Sequence, residues 1–174
     1  VDEIKVKSWD GTLVPLSIIH KKDIKLDGSH RALVVSYGAY GISSSPFYVA
    51  GMHLWYEHDG VRAVAHVRGG GEYGEAWHLA GYKATKPNSW KDFIACIEYL
   101  IAHHYTSAAR VTGMAGSAGG ILIGRAIEER PDLFAAAMAQ VPDADKLRFE
   151  TTAGGPSNVH ALRSVKTHEG IKDM

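Results

Sequence analysis

The chain has 174 residues, enough for one domain with a buried core, and its formal net charge of zero gives no indication of a nucleic-acid or anionic-membrane partner. No apolar run reaches membrane-spanning length, and the N-terminal stretch VDEIKVKSWDG lacks the apolar core of a signal peptide, so we predict a cytoplasmic protein. The single cysteine, Cys96, excludes an internal disulfide and is predicted to be a buried thiol.

The N-terminal half is predicted to open with a β-hairpin. Apolar and polar residues alternate in EIKVKS and LVPLSIIHK, on either side of the turn WDGT. A polar loop follows, and then the continuous apolar run ALVVSY, which is typical of a buried parallel strand. FYVAGMHLWYEH has helical spacing, and VRAVAHV predicts another buried strand.

The C-terminal half continues the alternation of helix and strand. SWKDFIACIEYLIAHH predicts a helix with Ser89 as its N-terminal cap, and RVTGM predicts a short strand. The helix AGGILIGRAIEER and the strand FAAAMAQV follow. After the hairpin, this order predicts an α/β fold with a mostly parallel sheet and helices on both faces.

A single hydroxyl, that of Ser117, stands between the predicted strand RVTGM and the next helix. Its neighbours read Ala115-Gly116-Ser117-Ala118-Gly119, close to the G-x-S-x-G pattern of the nucleophile elbow in α/β-hydrolases. A sharp strand-to-helix turn requires small residues beside the nucleophile and leaves the next amide, that of Ala118, facing an oxyanion. The alternative is a glycine-rich turn with an incidental serine.

A rival motif, Gly69-x-Gly71-x-x-Gly74, matches the dinucleotide-binding fingerprint. No helix opens at once after it, and the acidic residue about twenty positions on, Asp92, falls in a predicted helix and not at a strand end. We therefore predict a tight loop at the carboxyl edge of the sheet and no bound cofactor. The adjacent histidines His103 and His104 have no further ligands at metal-binding spacing, so we predict no metal site.

Five stretches resemble, in order and spacing, the catalytic domain of the prolyl oligopeptidase family of serine peptidases. They are VVSYGAYGISSSP, AHVRGGGEYGEAWHLAG, DFIACIEYLI, YTSAARVTGMAGSAGG and RPDLFAAAMAQVPDADKLRF. The resemblance implies an α/β-hydrolase fold with Ser117 as the nucleophile. It also implies that the Tyr37 hydroxyl and the Ala118 amide form the oxyanion hole, and that Tyr40 lies near the substrate.

The same resemblance implies that parts of the family pattern are absent. We expect a chain without the family's β-propeller, and the sequence ends 57 residues after Ser117, before the positions where the resemblance places the triad acid and histidine. We therefore expect residues 1–174 to be a single, truncated catalytic domain without the C-terminal strands. Replacement groups are available in the order that a triad needs. Asp143 and Asp145 follow the strand FAAAMAQV, and His160 and His168 come later, although all four also fit ordinary loop residues.

Two functions follow from this sequence. The first is a serine hydrolase that transfers acyl groups through Ser117, acting on small esters or peptides. The second is a non-catalytic fragment that lacks the triad acid and histidine and folds by self-association. An open sheet edge and uncovered apolar faces predict a homodimer or a larger homo-oligomer.

Overall fold

The computed structural model describes residues 1–145, 148–151 and 166. Within them, one six-stranded sheet has the order β1-β2-β4-β3-β5-β6. The strands are β1 (Asp2–Lys7), β2 (Leu13–Ile19), β3 (Ala32–Val35), β4 (Val61–Ala65), β5 (Val111–Gly116) and β6 (Ala136–Gln140). β2 pairs antiparallel with β1 and β4, and the pairs β3–β4, β3–β5 and β5–β6 are parallel. The predicted α/β class with a mostly parallel sheet is confirmed.

The hairpin of β1 and β2 forms because its apolar residues alternate in register. Val6 lies opposite Val14 and both are buried, whereas Lys5 and Lys7 point outward and are exposed. This alternation covers one face of the hairpin with apolar side chains and leaves the other to solvent. β2 then joins the hairpin to β4 and so to the parallel part of the sheet.

The helices are α1 (His53–Glu57), α2 (Glu75–Leu79), α3 (Pro87–Ala102) and α4 (Gly120–Glu129). α3 packs on β1, β2 and β4, and α4 packs on β5 and β6. The fully buried side chains of Phe93, Ile97 and Leu100 share one face of α3 because they follow helical spacing. Burying each such side chain stabilises the fold by roughly 1.5–3 kcal/mol. Cys96 is also fully buried in this core, as predicted.

The opposite face of the sheet is covered by the segment that leads into α1. In β4, Val61 and Ala63 belong to the core beside α3, so the intervening Arg62 points to the other face. There the ring of Phe47 lies over the Arg62 guanidinium, 5.5 Å from ring centroid to Cζ. Chain segments therefore cover both faces of the sheet at β4.

Two details of the predicted elements are wrong. FYVAGMHLWYEH forms only a 3₁₀ turn (Ala50–Met52) and the short α1, which ends before Asp59 at a positive φ of 54°. Ser89 does not cap α3, because that helix already begins at Pro87, where a residue without an amide hydrogen is well tolerated. Ser89 instead lies inside the helix with its side chain fully buried.

No helix in the described part of the chain is long and apolar enough to cross a bilayer.

Candidate active site

Ser117 lies where β5 turns into the next helix. A 3₁₀ turn (Ser117–Gly119) links the strand to α4, and the serine has a left-handed backbone with φ 52°. Few non-glycine residues adopt this conformation, and such strain concentrates at functional positions. Ser117 is exposed, whereas Ala118 and Gly119 after it are buried. The predicted strand–serine–helix turn is therefore present, with its hydroxyl-bearing residue accessible from solvent.

The small residues beside Ser117 are required by close packing. A Cβ added at Gly119 would lie 3.2 Å from both the Ala115 Cβ and the Tyr37 carbonyl oxygen. Ala115 therefore fits where the common pattern has glycine, because Gly119 opposite carries no side chain. The turn is also bound to the segment after β6, since the Asp143 backbone amide donates to the Ser117 carbonyl at 2.9 Å.

Tyr37 is the residue whose hydroxyl is predicted, by resemblance to the family, to donate to the oxyanion beside Ser117. Burial raises the pKa of Tyr37, a hydrogen bond with the Ser117 side chain partly offsets this rise, and the Asp143 carboxylate adds to it. The hydroxyl therefore stays protonated at neutral pH and remains a donor. The Tyr40 ring lies 6.4 Å from the Tyr37 ring, and burial together with Asp143 raises the pKa of Tyr40 as well.

The loop after Tyr37 is held by a buried cation. The Nζ of Lys86 donates to the Gly38 carbonyl, and the Ser89 hydroxyl approaches the same oxygen at 3.5 Å. Gly69 packs against this carbonyl from the other side. A Cβ at Gly69 would lie 2.3 Å from the Gly38 oxygen, and its φ of +99° also favours glycine. The glycine-rich motif therefore allows two backbone segments to pack together.

Arg68, just before Gly69, anchors this glycine-rich loop through a buried ion-pair network. Its Nε and backbone amide donate to one Asp92 oxygen at 2.9 and 3.0 Å, and its Nη2 donates to the other at 2.7 Å. Nη1 donates to Asp10 at 2.6 Å, and the Ser8 hydroxyl donates to Asp92 at 2.6 Å. The guanidinium and hydrogen bonds hold the pKa of Asp10 down at about 2.

The two candidate acids differ in their surroundings. The half-buried Asp143 is close enough to Tyr37 and Tyr40 to raise the pKa of both tyrosines. Asp145 is exposed and accepts from Arg148 Nε at 2.6 Å, so its carboxylate is engaged in a surface ion pair. The two carboxylates therefore have different surroundings, and of the two only that of Asp143 lies near Tyr37 and Tyr40.

The candidate histidines His160 and His168 lie outside the described residues. Among the described histidines, His78 lines a small cavity together with Tyr40, Lys86 and Ala118. Its Nδ1 lies 3.1 Å from the Gly69 carbonyl oxygen, which fixes the ring orientation. Neither His78 nor Lys86 was predicted from the sequence as a site residue. Their positions within HVRGGGEYGEAWH and LAGYKATK follow no recognisable spacing, so tertiary contact alone reveals them.

No group of three or more histidine, cysteine, aspartate or glutamate side chains in the described part of the chain is arranged to hold a metal ion.

The sheet order, the parallel strands around β5 and the serine at its end are those of the α/β-hydrolase class. The sequence pattern of the Prolyl oligopeptidase family matches residues 46–164, and the chain belongs to that family. It is 40% identical over 154 residues to the prolyl endopeptidase of Elizabethkingia meningoseptica, a match that covers 88% of this chain and 22% of that protein.

Solved structures agree with the family assignment. A prolyl endopeptidase structure superposes with a TM-score of 0.96 at 36% identity, covering 99% of this chain and 25% of that one. Oligopeptidase B from Trypanosoma brucei, solved in a closed form with covalently bound antipain, gives a TM-score of 0.93 at 32% identity, with coverage of 99% and 25%. The chain therefore spans about a quarter or less of the length of these relatives.

Proposed function

We propose that the chain carries the nucleophile and oxyanion side of a serine hydrolase site, with Ser117 as the nucleophile. The observation that carries the proposal is the exposed, left-handed Ser117 between β5 and α4, with the protonated Tyr37 hydroxyl beside it. An incidental serine in a glycine-rich turn would not need the strained backbone or a neighbouring donor. Membership of a family of peptidases favours this function over that of a non-catalytic fragment.

The reaction is acyl transfer. The Ser117 oxygen forms a bond to the substrate carbonyl carbon while its proton passes to a base, and the carbonyl oxygen becomes an oxyanion. The Tyr37 hydroxyl and the Ala118 amide stabilise that charge. The bond to the leaving alcohol or amine then breaks as the leaving group takes the proton, and water releases the acid from Ser117 by the reverse sequence.

Asp143 is the better acid for this site, because it lies near Tyr37 and its backbone is bound to Ser117, whereas Asp145 is paired with Arg148. We propose His160 or His168 as the base that accepts the serine proton. Activity should then rise with pH as that imidazole loses its proton, near pH ~6–7. Substituting His160 and His168 separately, and then together, should identify the one required, and full activity in the double variant would exclude both.

The substrate class is a short peptide or a small activated ester. Relatives of this chain are named prolyl endopeptidases, which supports a peptide bond next to proline as the natural target. The exposed position of Ser117 favours small, reactive substrates in an assay. A short-chain nitrophenyl ester and a proline-containing fluorogenic dipeptide therefore make a suitable pair of test substrates.

Covalent labelling tests the nucleophile directly. A fluorophosphonate should modify the wild-type chain at Ser117, as located by peptide mass spectrometry, and Ser117→Ala should lose both the label and ester turnover. Ser107→Ala is the matched control, because that serine is half-buried and its side chain makes no cap hydrogen bond. Equal labelling of the wild type and Ser117→Ala would overturn the assignment.

We also propose that the chain self-associates through β6. Among the described residues, β6 pairs only with β5, and all five of its residues are exposed. An unpaired edge with an exposed apolar side chain, that of Met138 at 45%, favours pairing with a second copy. Sedimentation should detect a dimer that Met138→Lys weakens, while the control Tyr48→Lys, at another exposed position, leaves it unchanged.

A further inference from the structure

Arg62 is a buried cation on the face of the sheet opposite α3. The residue is only 7% exposed, although arginine is rarely buried unless its charge is paired. Its Nη1 donates to the Phe47 carbonyl at 3.3 Å, and its Cζ lies 5.5 Å from the centre of the Phe47 ring. Within the described part of the chain, the Arg62 side chain makes no other hydrogen bond and no ion pair.

Among the described residues, no carboxylate pairs with this guanidinium. A guanidinium has five N–H donors, and one carbonyl together with one ring face satisfies only part of that capacity. Removing a charge from water is costly unless an opposite charge compensates it. Arg68, by comparison, has a similar degree of burial but is paired with two carboxylates. Among the described residues, Arg62 therefore has no carboxylate partner comparable to those of Arg68.

A cavity adjoins the Arg62 side chain. Its volume is about 340 Å³, and its walls include Ser43, Ser45, Phe47 and Val64 together with Arg62. The hydroxyls of Ser43 and Ser45 make no hydrogen bond within the described residues, so both remain available as donors. The volume falls in the range of small-molecule sites. The lining thus combines one cation and several hydroxyl groups with the apolar side chains of Phe47 and Val64.

We propose that this cavity, whose lining also includes Tyr37 of the Ser117 site, binds a small free monocarboxylate. The carboxylate takes the unused donors of the Arg62 fork in a bidentate pair, and the serine hydroxyls donate to the same oxygens. A short branched aliphatic chain on the ligand packs against Val64 and the Phe47 ring. The single positive charge matches a monoanion.

A phosphate dianion fits less well for two reasons. The cavity offers one cation, so a second negative charge would remain uncompensated in a half-enclosed space. The Glu72 carboxylate also lies nearby, where it accepts the Ser44 backbone amide at 2.7 Å. Ser44 is itself part of the cavity wall, so an additional charge there would be repelled.

The test uses sodium 3-methylbutanoate as the probe carboxylate and measures the thermal midpoint of the 174-residue chain. Sodium chloride at equal ionic strength and 3-methylbutanamide are the control solutes. We expect the carboxylate to raise Tm by several degrees above chloride at saturation, because a ligand that binds only the folded state stabilises it. The amide and methyl phosphate should give little or no shift.

Variants and a direct measurement complete the test. Arg62→Gln should abolish the shift, Ser45→Ala should reduce it, and Arg110→Gln, at an exposed arginine, should retain it. Line broadening of ¹³C-carboxyl-labelled 3-methylbutanoate should report binding to the folded wild type even where a variant unfolds. Equal Tm shifts in the wild type and Arg62→Gln, or no broadening with the wild type, would overturn the proposal. A third outcome would also overturn it: Arg62→Gln has a much lower Tm, and the wild type does not respond to carboxylate. This result would indicate that a side-chain carboxylate of the protein already pairs with Arg62.

Discussion

Replacing Arg68 with methionine should destabilise the chain more than any other single arginine replacement among those paired in the described structure. The substitution keeps an unbranched apolar stem but removes the guanidinium and its charge. It leaves the Asp92 carboxylate, whose side chain is 0% exposed, with only the Ser8 hydroxyl and one backbone amide as donors. Removing one partner of a buried ion pair costs about 3–5 kcal/mol. For a chain of this size that corresponds to a fall in Tm of roughly 10 °C.

Asp10→Asn removes only the outer half of the same network. The pKa of Asp10 falls from 3.8 to about 2 in the folded chain, which corresponds to about 2 kcal/mol at neutral pH. Because this carboxylate stands near the surface, with its side chain 27% exposed, solvent screening reduces the contribution to about 1 kcal/mol. Because the pKa of Asp10 is lower in the folded chain than in the unfolded chain, its carboxylate stabilises the fold at pH values above the unfolded-state pKa. This contribution should disappear as the pH falls from 4 towards 2.

Urea unfolding followed by tryptophan fluorescence measures both effects. Arg130→Met is the matched control, because Arg130 pairs with Asp132 and Glu98 at the surface and its loss should cost less than about 1 kcal/mol. The difference between the wild type and Asp10→Asn should be present at pH 5 and reduced by about half at pH 3. If Arg68→Met costs no more than Arg130→Met, the buried network does not stabilise the loop as argued.

Three further outcomes concern the segments around Ser117. Tyr37→Phe should lower ester turnover by about two orders of magnitude with an unchanged urea midpoint, and an unchanged rate would remove Tyr37 from the oxyanion hole. Gly69→Ala should lower both the urea midpoint and the turnover, because the alanine Cβ would collide with the Gly38 carbonyl and the φ of +99° at this position disfavours alanine. A fully active and stable variant would contradict that packing. Lys86→Met should reduce turnover more than it reduces fluorophosphonate labelling of Ser117, since it loosens the Gly38 carbonyl while the nucleophile remains; equal losses would indicate general unfolding.

The strands and the Ser117 turn could be predicted from the sequence because local rules determine them. Continuous apolar runs predicted β3 and β4. The small residues around Ser117 predicted a tight strand-to-helix turn, because few other local structures require such residues on both sides of a serine. The start of α3 was misplaced because Ser89 and Pro87 both suit a helix N-terminus, and tertiary contacts place Ser89 beneath the Gly38 carbonyl.

The roles of the buried cations could not be predicted from the sequence, because tertiary contacts determine those roles. Lys86 and Arg62 look like ordinary surface residues in the sequence, yet the first binds a carbonyl and the second lies beneath Phe47. The difference between Asp143 and Asp145 was equally invisible, since two positions along a loop separate a residue beside Tyr37 from one that pairs with Arg148.

The single thiol of the chain, in the middle of α3, can serve as a probe of how often the core opens. Burial, with a smaller contribution from Asp92, raises the pKa of Cys96 well above its usual range, so the thiol is both inaccessible and unreactive while α3 lies on the sheet. A thiol reagent can therefore react only after the helix has separated from β1, β2 and β4. Its rate of modification reports how often the whole core opens, in the same way that the slowest-exchanging amides do, and fraying of chain ends leaves it unchanged.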